Sequence, residues 1–249
     1  MTSPFRRHQQ QVRARSAGDA KAAELQSGKP AEPSTDGDAG REYAALRAVL
    51  HDNLRTLSDI ASHDKRQPKK AEFAKQFAPW IEGLIEADRP VQDEILVTNL
   101  IWAIDYGDFD YALRLGRFAI RHRLAMPEAY SRSVACFLAE DIAEAALKDA
   151  DAVRHDILAE TLALTGDADM PDQAKAKLHK ALGRSWMRKA EKFDAAADNA
   201  PAGGAAAYAE EGLADLRRAL DLDEKAGVKT DIKSLEKLLK DLRPAGDQD

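Results

Sequence analysis

Apolar residues recur along this chain at intervals of three and four, and almost nowhere do they alternate with polar ones. That period belongs to helices packing one face inward, and it predicts an all-α protein. A long N-terminal helix is expected from Arg41 to about His63. Tyr43, Leu46, Leu50, Asn53, Leu57 and Ile60 are spaced 3, 4, 3, 4, 3 within it, the spacing of a heptad seam with one asparagine at a core position. About three heptads fit either an oligomerising coiled coil or a plain amphipathic helix packed on its own chain. Lys65 to Lys70, with Pro68, reads as a basic turn. Pro79 and Pro90 look like first-turn prolines for Trp80–Ala87 and Val91–Tyr106. Gly107 followed by Asp108 is a stop and a cap, opening Phe109–His122. Further helices are predicted from Met126-Pro127 to Lys148, over Val153–Thr165, and from Pro171 to about Lys192. After an Ala/Gly-rich break at Asp194–Gly204, Ala205–Leu222 and Thr230–Leu242 complete the set.

The punctuation divides the chain. Residues 1–40 form a basic, disordered arm and linker, with two prolines and two glycines in 30–40. Residues 41–64 form the oligomerising helix, 65–192 the helical body, 193–243 a C-terminal helical hairpin and 244–249 a tail. Tyr208, Gly212 and the run Ala219-Leu220-Asp221-Leu222-Asp223 give that hairpin a tetratricopeptide-like flavour, although a solenoid needs about three such units.

Composition agrees with helix: alanine occurs 47 times, valine and isoleucine together 17 times. The net charge of −6 does not mark a nucleic-acid binder, but its distribution does. Residues 1–29 carry six basic and two acidic side chains, a net +4, and leave −10 on the remainder. Arg6, Arg7, Arg13 and Arg15 then read as a DNA-contacting arm on an acidic body, or as a solvated terminus. Cys136 is the sole cysteine, so no internal disulfide forms, and its apolar neighbours mark it as an inert core thiol. No apolar run approaches the ~20 residues that span a bilayer. Met1 to Gln11 lacks an apolar signal core, so an intracellular protein is expected.

Several strings, in order along the chain, resemble the terminase small subunit of peduovirus-like tailed phages. They are Met1-Thr2-Ser3-Pro4 with Arg7-His8; Pro79-Trp80 with Gly83; and Asp93-Glu94-Ile95-Leu96 leading to Trp102, Asp105, Gly107-Asp108 and Ala112-Leu113. Leu124 and Met126-Pro127 follow, then Asp169-Met170-Pro171-Asp172 with Ala176-Lys177-Leu178-His179-Lys180, and finally Ala226-Gly227-Val228-Lys229. No single string is specific; their conjunction is. The resemblance implies a partner of the ATPase large terminase subunit, acting on double-stranded phage DNA at the cohesive-end site in the host cytoplasm, with endonuclease activity. The linker at 30–40 is longer than that family leads one to expect, and the chain ends without a basic tail.

The residues themselves display no nuclease motif. The six histidines are scattered, there is no cysteine or histidine pair at zinc spacing, and no glycine loop cradles a phosphate. ATP hydrolysis therefore falls to a partner. The densest acids are Asp105, Asp108 and Asp110 around Gly107, with Asp93 and Glu94 one helix earlier. Two adjoining helices could bring Asp105 and Asp108 within reach of one Mg²⁺. The competing reading makes Asp108 an N-cap and lets Asp110 favour the dipole of the first turn.

Overall fold

The computed structural model describes residues 30–33, 36–194 and 203–242, which include nine α-helices. They are α1 (Gly37–Ser58), α2 (His63–Ala87), α3 (Glu94–Tyr106), α4 (Phe109–Arg121), α5 (Val134–Lys148), α6 (His155–Thr165), α7 (Asp172–Glu191), α8 (Gly204–Leu222) and α9 (Lys229–Leu242). Among the described residues there is no strand, only an isolated bridge of Ala31 to Val91, where the Gln92 N–H donates to the Ala31 carbonyl at 2.9 Å. The all-α expectation holds.

The centre of the molecule is α3. Every residue from Ile95 to Ala103 is buried, so this helix has no solvent face over most of its length. Helices α1, α2 and α4 pack around it, and α5 and α6 continue the bundle. At the corner after α3, Gly107 takes a left-handed φ of +84° that a β-carbon would strain, and the Asp108 carboxylate accepts from the Tyr111 N–H at 3.1 Å. Stop and cap fall where the sequence places them.

Four expectations need correction. First, Lys65–Lys70 is no turn, Pro79 no helix start and Pro90 no first-turn residue, because α2 runs through both Pro68 and Pro79 and α3 begins only at Glu94, behind its cap Asp93. Each interior proline costs about 3 kcal/mol. Phe73, Ala74, Phe77 and Ile81, buried at a helical spacing, offset that, since burying a large apolar side chain gives about 1.5–3 kcal/mol. Second, Met126-Pro127 starts no helix. Residues 124–133 are irregular, and α5 begins behind Ser133, whose hydroxyl accepts from the Cys136 N–H. Third, α1 is shifted toward the N-terminus, taking in the last residues of the proposed linker and ending at Ser58.

The fourth correction concerns the heptad stripe, which is used inside the chain. Tyr43, Leu50 and Leu57 are core residues and Asn53 is buried with them, while Leu46 packs at the margin and Ile60 is half-buried. Tyr43 stacks on Trp80 of α2 with centroids 5.4 Å apart, and its hydroxyl accepts from the Glu94 N–H at the start of α3. The amide Nδ2 of Asn53 is buried without a hydrogen-bond partner among the described residues. Of the two readings left open for the stripe, packing on its own chain is the one the described residues display.

Two apolar clusters divide the core. The larger spans α1 to α7; the smaller gathers Ala190, Ala209, Leu213, Leu216, Ala219, Val228, Ile232 and Leu235 from α7, α8, α9 and the turn before α9. Helices α7 and α8 cross closely at two glycines. A β-carbon at Gly183 would lie 2.7 Å from Leu216 Cγ, and one at Gly212 would lie 3.1 Å from the Gly183 carbonyl oxygen. The α8–α9 pair packs as a hairpin; its tetratricopeptide flavour rests on sequence alone.

Candidate functional site

The acids singled out in the sequence come apart into separate local jobs. Asp93 is fully buried and caps α3, one oxygen accepting from the Leu96 N–H and the other from the Trp80 indole N–H, both at 2.8 Å. Burial pushes its carboxyl above the ordinary 3.8, against the pull of those donors. Glu94 accepts from Arg47 at 2.9 Å and lies 3.0 Å from His51, which ties α1 to the start of α3. Asp105 is held by the Lys70 ammonium of α2 at 2.6 Å, in a pair largely withdrawn from solvent. Asp108 serves as the cap of α4. Asp110 receives both arms of the Arg154 guanidinium, at 2.9 and 3.0 Å, which holds its carboxyl below the usual range. Among the described residues no three His, Cys, Asp or Glu side chains gather into a group able to hold a metal ion. Asp105 and Asp108 thus have distinct partners and do not form such a group.

The basic arm with Arg6, Arg7, Arg13 and Arg15 lies outside the described residues. The basic stretch at the start of α2 is mostly committed: Arg66 donates to the Ile60 carbonyl, Lys69 pairs with Glu72, and Lys70 with Asp105.

A cationic feature that sequence reasoning passed over lies on α7. Lys177, Lys180, Arg184, Arg188 and Lys192 recur every three or four residues, a stripe visible in the sequence had it been searched for charge instead of apolar period. Its first part is neutralised or satisfied. Lys177 pairs with Glu140 and Glu144, Lys180 donates to the Ala226 carbonyl, and Arg184 pairs with Asp231. The last turn differs: among the described residues Arg188, Lys189 and Lys192 have no carboxylate partner. Arg188 donates one N–H to the Ala150 carbonyl at 3.2 Å. The Lys189 ammonium sits 5.1 Å from the Trp186 ring centre and 5.0 Å from that of Tyr208, within cation–π range.

These three cations line a cavity of 470 Å³ walled by α7, the start of α6 and α8, with His155, Phe193 and Tyr208 on its surface. The rings form a continuous ladder from α6 to α8. His155 meets Trp186 edge-on at 3.9 Å, Trp186 stacks on Tyr208 at 5.6 Å, and Phe193 meets Tyr208 edge-on at 6.1 Å. His155 Nδ1 lies 3.1 Å from the Ser185 hydroxyl. Burial, aided by the nearby Lys189 charge, drives its pKa down to about 4, so the ring is neutral at pH 7.

Residues 47–173 match the family model described as phage small terminase subunit. The chain is 35% identical over 243 residues to the "Terminase, endonuclease subunit" of Escherichia phage P2, covering 96% of this chain and 87% of that protein. It is 24% identical over 220 residues to the "Probable terminase, endonuclease subunit" of Haemophilus phage HP1, covering 84% of this chain and 75% of that protein. No solved structure gives a significant match. A family match across half of the chain, and a relative aligned along nearly all of it, lead to one conclusion: this protein belongs to the phage small terminase subunit family.

Proposed function

We propose that this chain recognises phage DNA at the cohesive-end packaging site, cuts it there, and works with the ATPase large terminase subunit in the host cytoplasm. The observation that carries this reading is the similarity over 96% of the chain to a protein named as the endonuclease subunit of a terminase. The sequence supports the division of labour, since it contains no phosphate-cradling glycine loop for ATP. Consistent with the setting, no helix among the described residues is long and apolar enough to cross a membrane. DNA contact is assigned to Arg6, Arg7, Arg13 and Arg15. Mg²⁺ is the metal expected for such a cut, but the described residues bring together no donor set that fits it. Cleavage is therefore assigned to the subunit and to no particular residue. Assembly with further copies belongs to the same reading. With Leu50, Asn53 and Leu57 buried inside the chain, the large apolar side chains that α1 leaves exposed for it are Val49 and Leu54, on either edge of the buried stripe.

The test incubates purified full-length protein with cohesive-end DNA and Mg²⁺, with and without the large subunit. Cutting by the isolated protein is expected. Cutting only in reactions that contain the large subunit would make this chain a non-enzymatic recognition subunit, and no DNA binding at any salt concentration would leave a helical scaffold. Four phosphate contacts by the arm give a slope of log affinity against log salt of about −3.6, which deletion of residues 1–29 should remove.

A further inference from the structure

The end of α7 combines three features that bear on a ligand. The first is charge held close together. Arg188, Lys189 and Lys192 fall within five residues on the surface of one cavity, with no carboxylate pairing among the described residues. Some positive groups elsewhere in the fold are matched, as Arg114 is by Glu82, Arg117 by Glu160 and Arg184 by Asp231. Arg154, which also borders the cavity, is already committed to Asp110 and Asp156. Two acids, Asp151 and Asp194, lie on the same lining. They reduce the local charge without removing it.

The second feature is aromatic surface at the same place, supplied by Tyr208 and Phe193 beside the cations. Cations that take phosphate oxygens beside rings that stack on a base are how nucleotides of an unpaired strand are held. The third is size: 470 Å³ lies in the range of about 300–1,000 Å³ typical of small-molecule sites, enough for one nucleotide. A duplex keeps its bases inside the stack and could offer this cleft phosphates only. An unpaired nucleotide offers phosphate and ring together.

We propose that the cleft between α6, α7 and α8 is a binding site for a single nucleotide unit, its phosphate held by Arg188, Lys189 and Lys192 and its base lying against Phe193 and Tyr208. The planar Arg188 fork, oriented by its bond to the Ala150 carbonyl, presents its remaining N–H groups to phosphate oxygens, and Lys189 is steadied over the rings. The unit has two sources, an unpaired nucleotide of a DNA strand or a free nucleoside monophosphate. The strand source rests on the packaging reading; the site itself does not.

The experiment uses the full-length protein and two probes, a dye-labelled 5′-phosphorylated ten-nucleotide single strand followed by anisotropy and deoxyadenosine monophosphate followed by calorimetry. Arg188→Gln with Lys189→Gln should weaken binding at least tenfold. For the strand, the salt slope should shrink by about 0.7, the share of the one phosphate that the site holds. Lys192→Gln, on an exposed side chain that supports no packing, should weaken binding about threefold and keeps the test sound if the double variant folds poorly. Loss for both probes assigns the site to either source, and binding by one probe alone identifies that source. Wild-type affinity in every variant would overturn the proposal, as would equal binding of deoxyadenosine and its monophosphate. Arm-dependent duplex binding would survive such a failure, so the packaging reading is judged separately.

Discussion

Replacing Asp93 by alanine tests how the corner between α1, α2 and α3 is held. The carboxylate does two things at once: it caps α3 through the Leu96 N–H and is the hydrogen-bond partner of the Trp80 indole N–H. Losing an N-cap costs about 1 kcal/mol. Leaving the indole N–H without an acceptor costs about 1–3 kcal/mol more, because the site is closed to water. The Tyr43–Trp80 stack beside it loosens as the indole loses its anchor. The sum is about 2–4 kcal/mol, or a fall in Tm of about 4–16 °C at 2–4 °C per kcal/mol for a chain of this size. Thermal and urea melts at pH 7 read this directly, and a change under 0.5 kcal/mol would refute the corner's dependence on Asp93. The pH dependence supplies a second check. Burial raises the Asp93 pKa above 3.8, so the folded chain binds this proton more tightly than the unfolded one. Its contribution to stability is therefore fullest below 3.8 and is lost as pH rises through the folded value. Wild type should gain on Asp93→Asn when pH falls from 7 toward 4, and a gap that moves the other way would contradict the burial argument.

Other expectations follow from the same packing. Leu50→Asp with Leu57→Asp should abolish cooperative melting instead of releasing a folded monomer, since each leucine is buried in the chain's own core; sedimentation and a thermal melt distinguish the two. Asn53→Leu should leave stability equal or raise it by about 1–3 kcal/mol, because it removes a buried amide that has no partner among the described residues; a loss would show that amide to be satisfied. Asp108→Asn should hold stability within about 0.5 kcal/mol, whereas Asp108→Ala should cost about 1 kcal/mol, and DNA cutting that fails in the asparagine variant alone would assign Asp108 a role beyond its cap. His155, whose folded pKa is depressed to about 4 against an ordinary 6.5, should cost stability as pH falls from 6.5 toward 4; His155→Gln should flatten that limb in acid melts.

Local chemistry was the most legible part of the sequence. Gly107-Asp108 could be read as stop and cap because each job is done within four residues by the residue's own conformational freedom or carboxylate. Pro79 was misread for the complementary reason. Its local cost is plain, but Phe73, Phe77 and Ile81, which outweigh it, gain their stability only against α3, several turns away in the fold. The heptad stripe shows the same limit, because spacing specifies an apolar face without specifying what covers it. The family was legible from strings spread over the whole chain. The cleft at the end of α7 was not, since its parts, drawn from residues 150–155, 185–194 and 208, meet only when α6 and α8 close on α7.

Helix α7 belongs to both apolar clusters, its first half to the large one through Leu178, Ala181 and Leu182 and its end to the small one through Ala190. The α8–α9 hairpin rests almost wholly on that one helix. Native proteins open in cooperative units whose free energies differ, and a hairpin docked on a single neighbour is such a unit. Its amides should exchange with solvent deuterium through a sub-global opening that leaves α3 and α4 protected. Gly183 and Gly212 sit at the crossing that opens, where an added methyl group would meet Leu216 or the Gly183 carbonyl and obstruct re-docking. The opening also takes Tyr208 away from Lys189, so the aromatic wall of the cleft exists only while the hairpin is docked. A nucleotide bound there at a hundred times its Kd would suppress the opening by about 2.7 kcal/mol, making the exchange rate of α9, which lies outside the cleft lining, a remote reporter of occupancy.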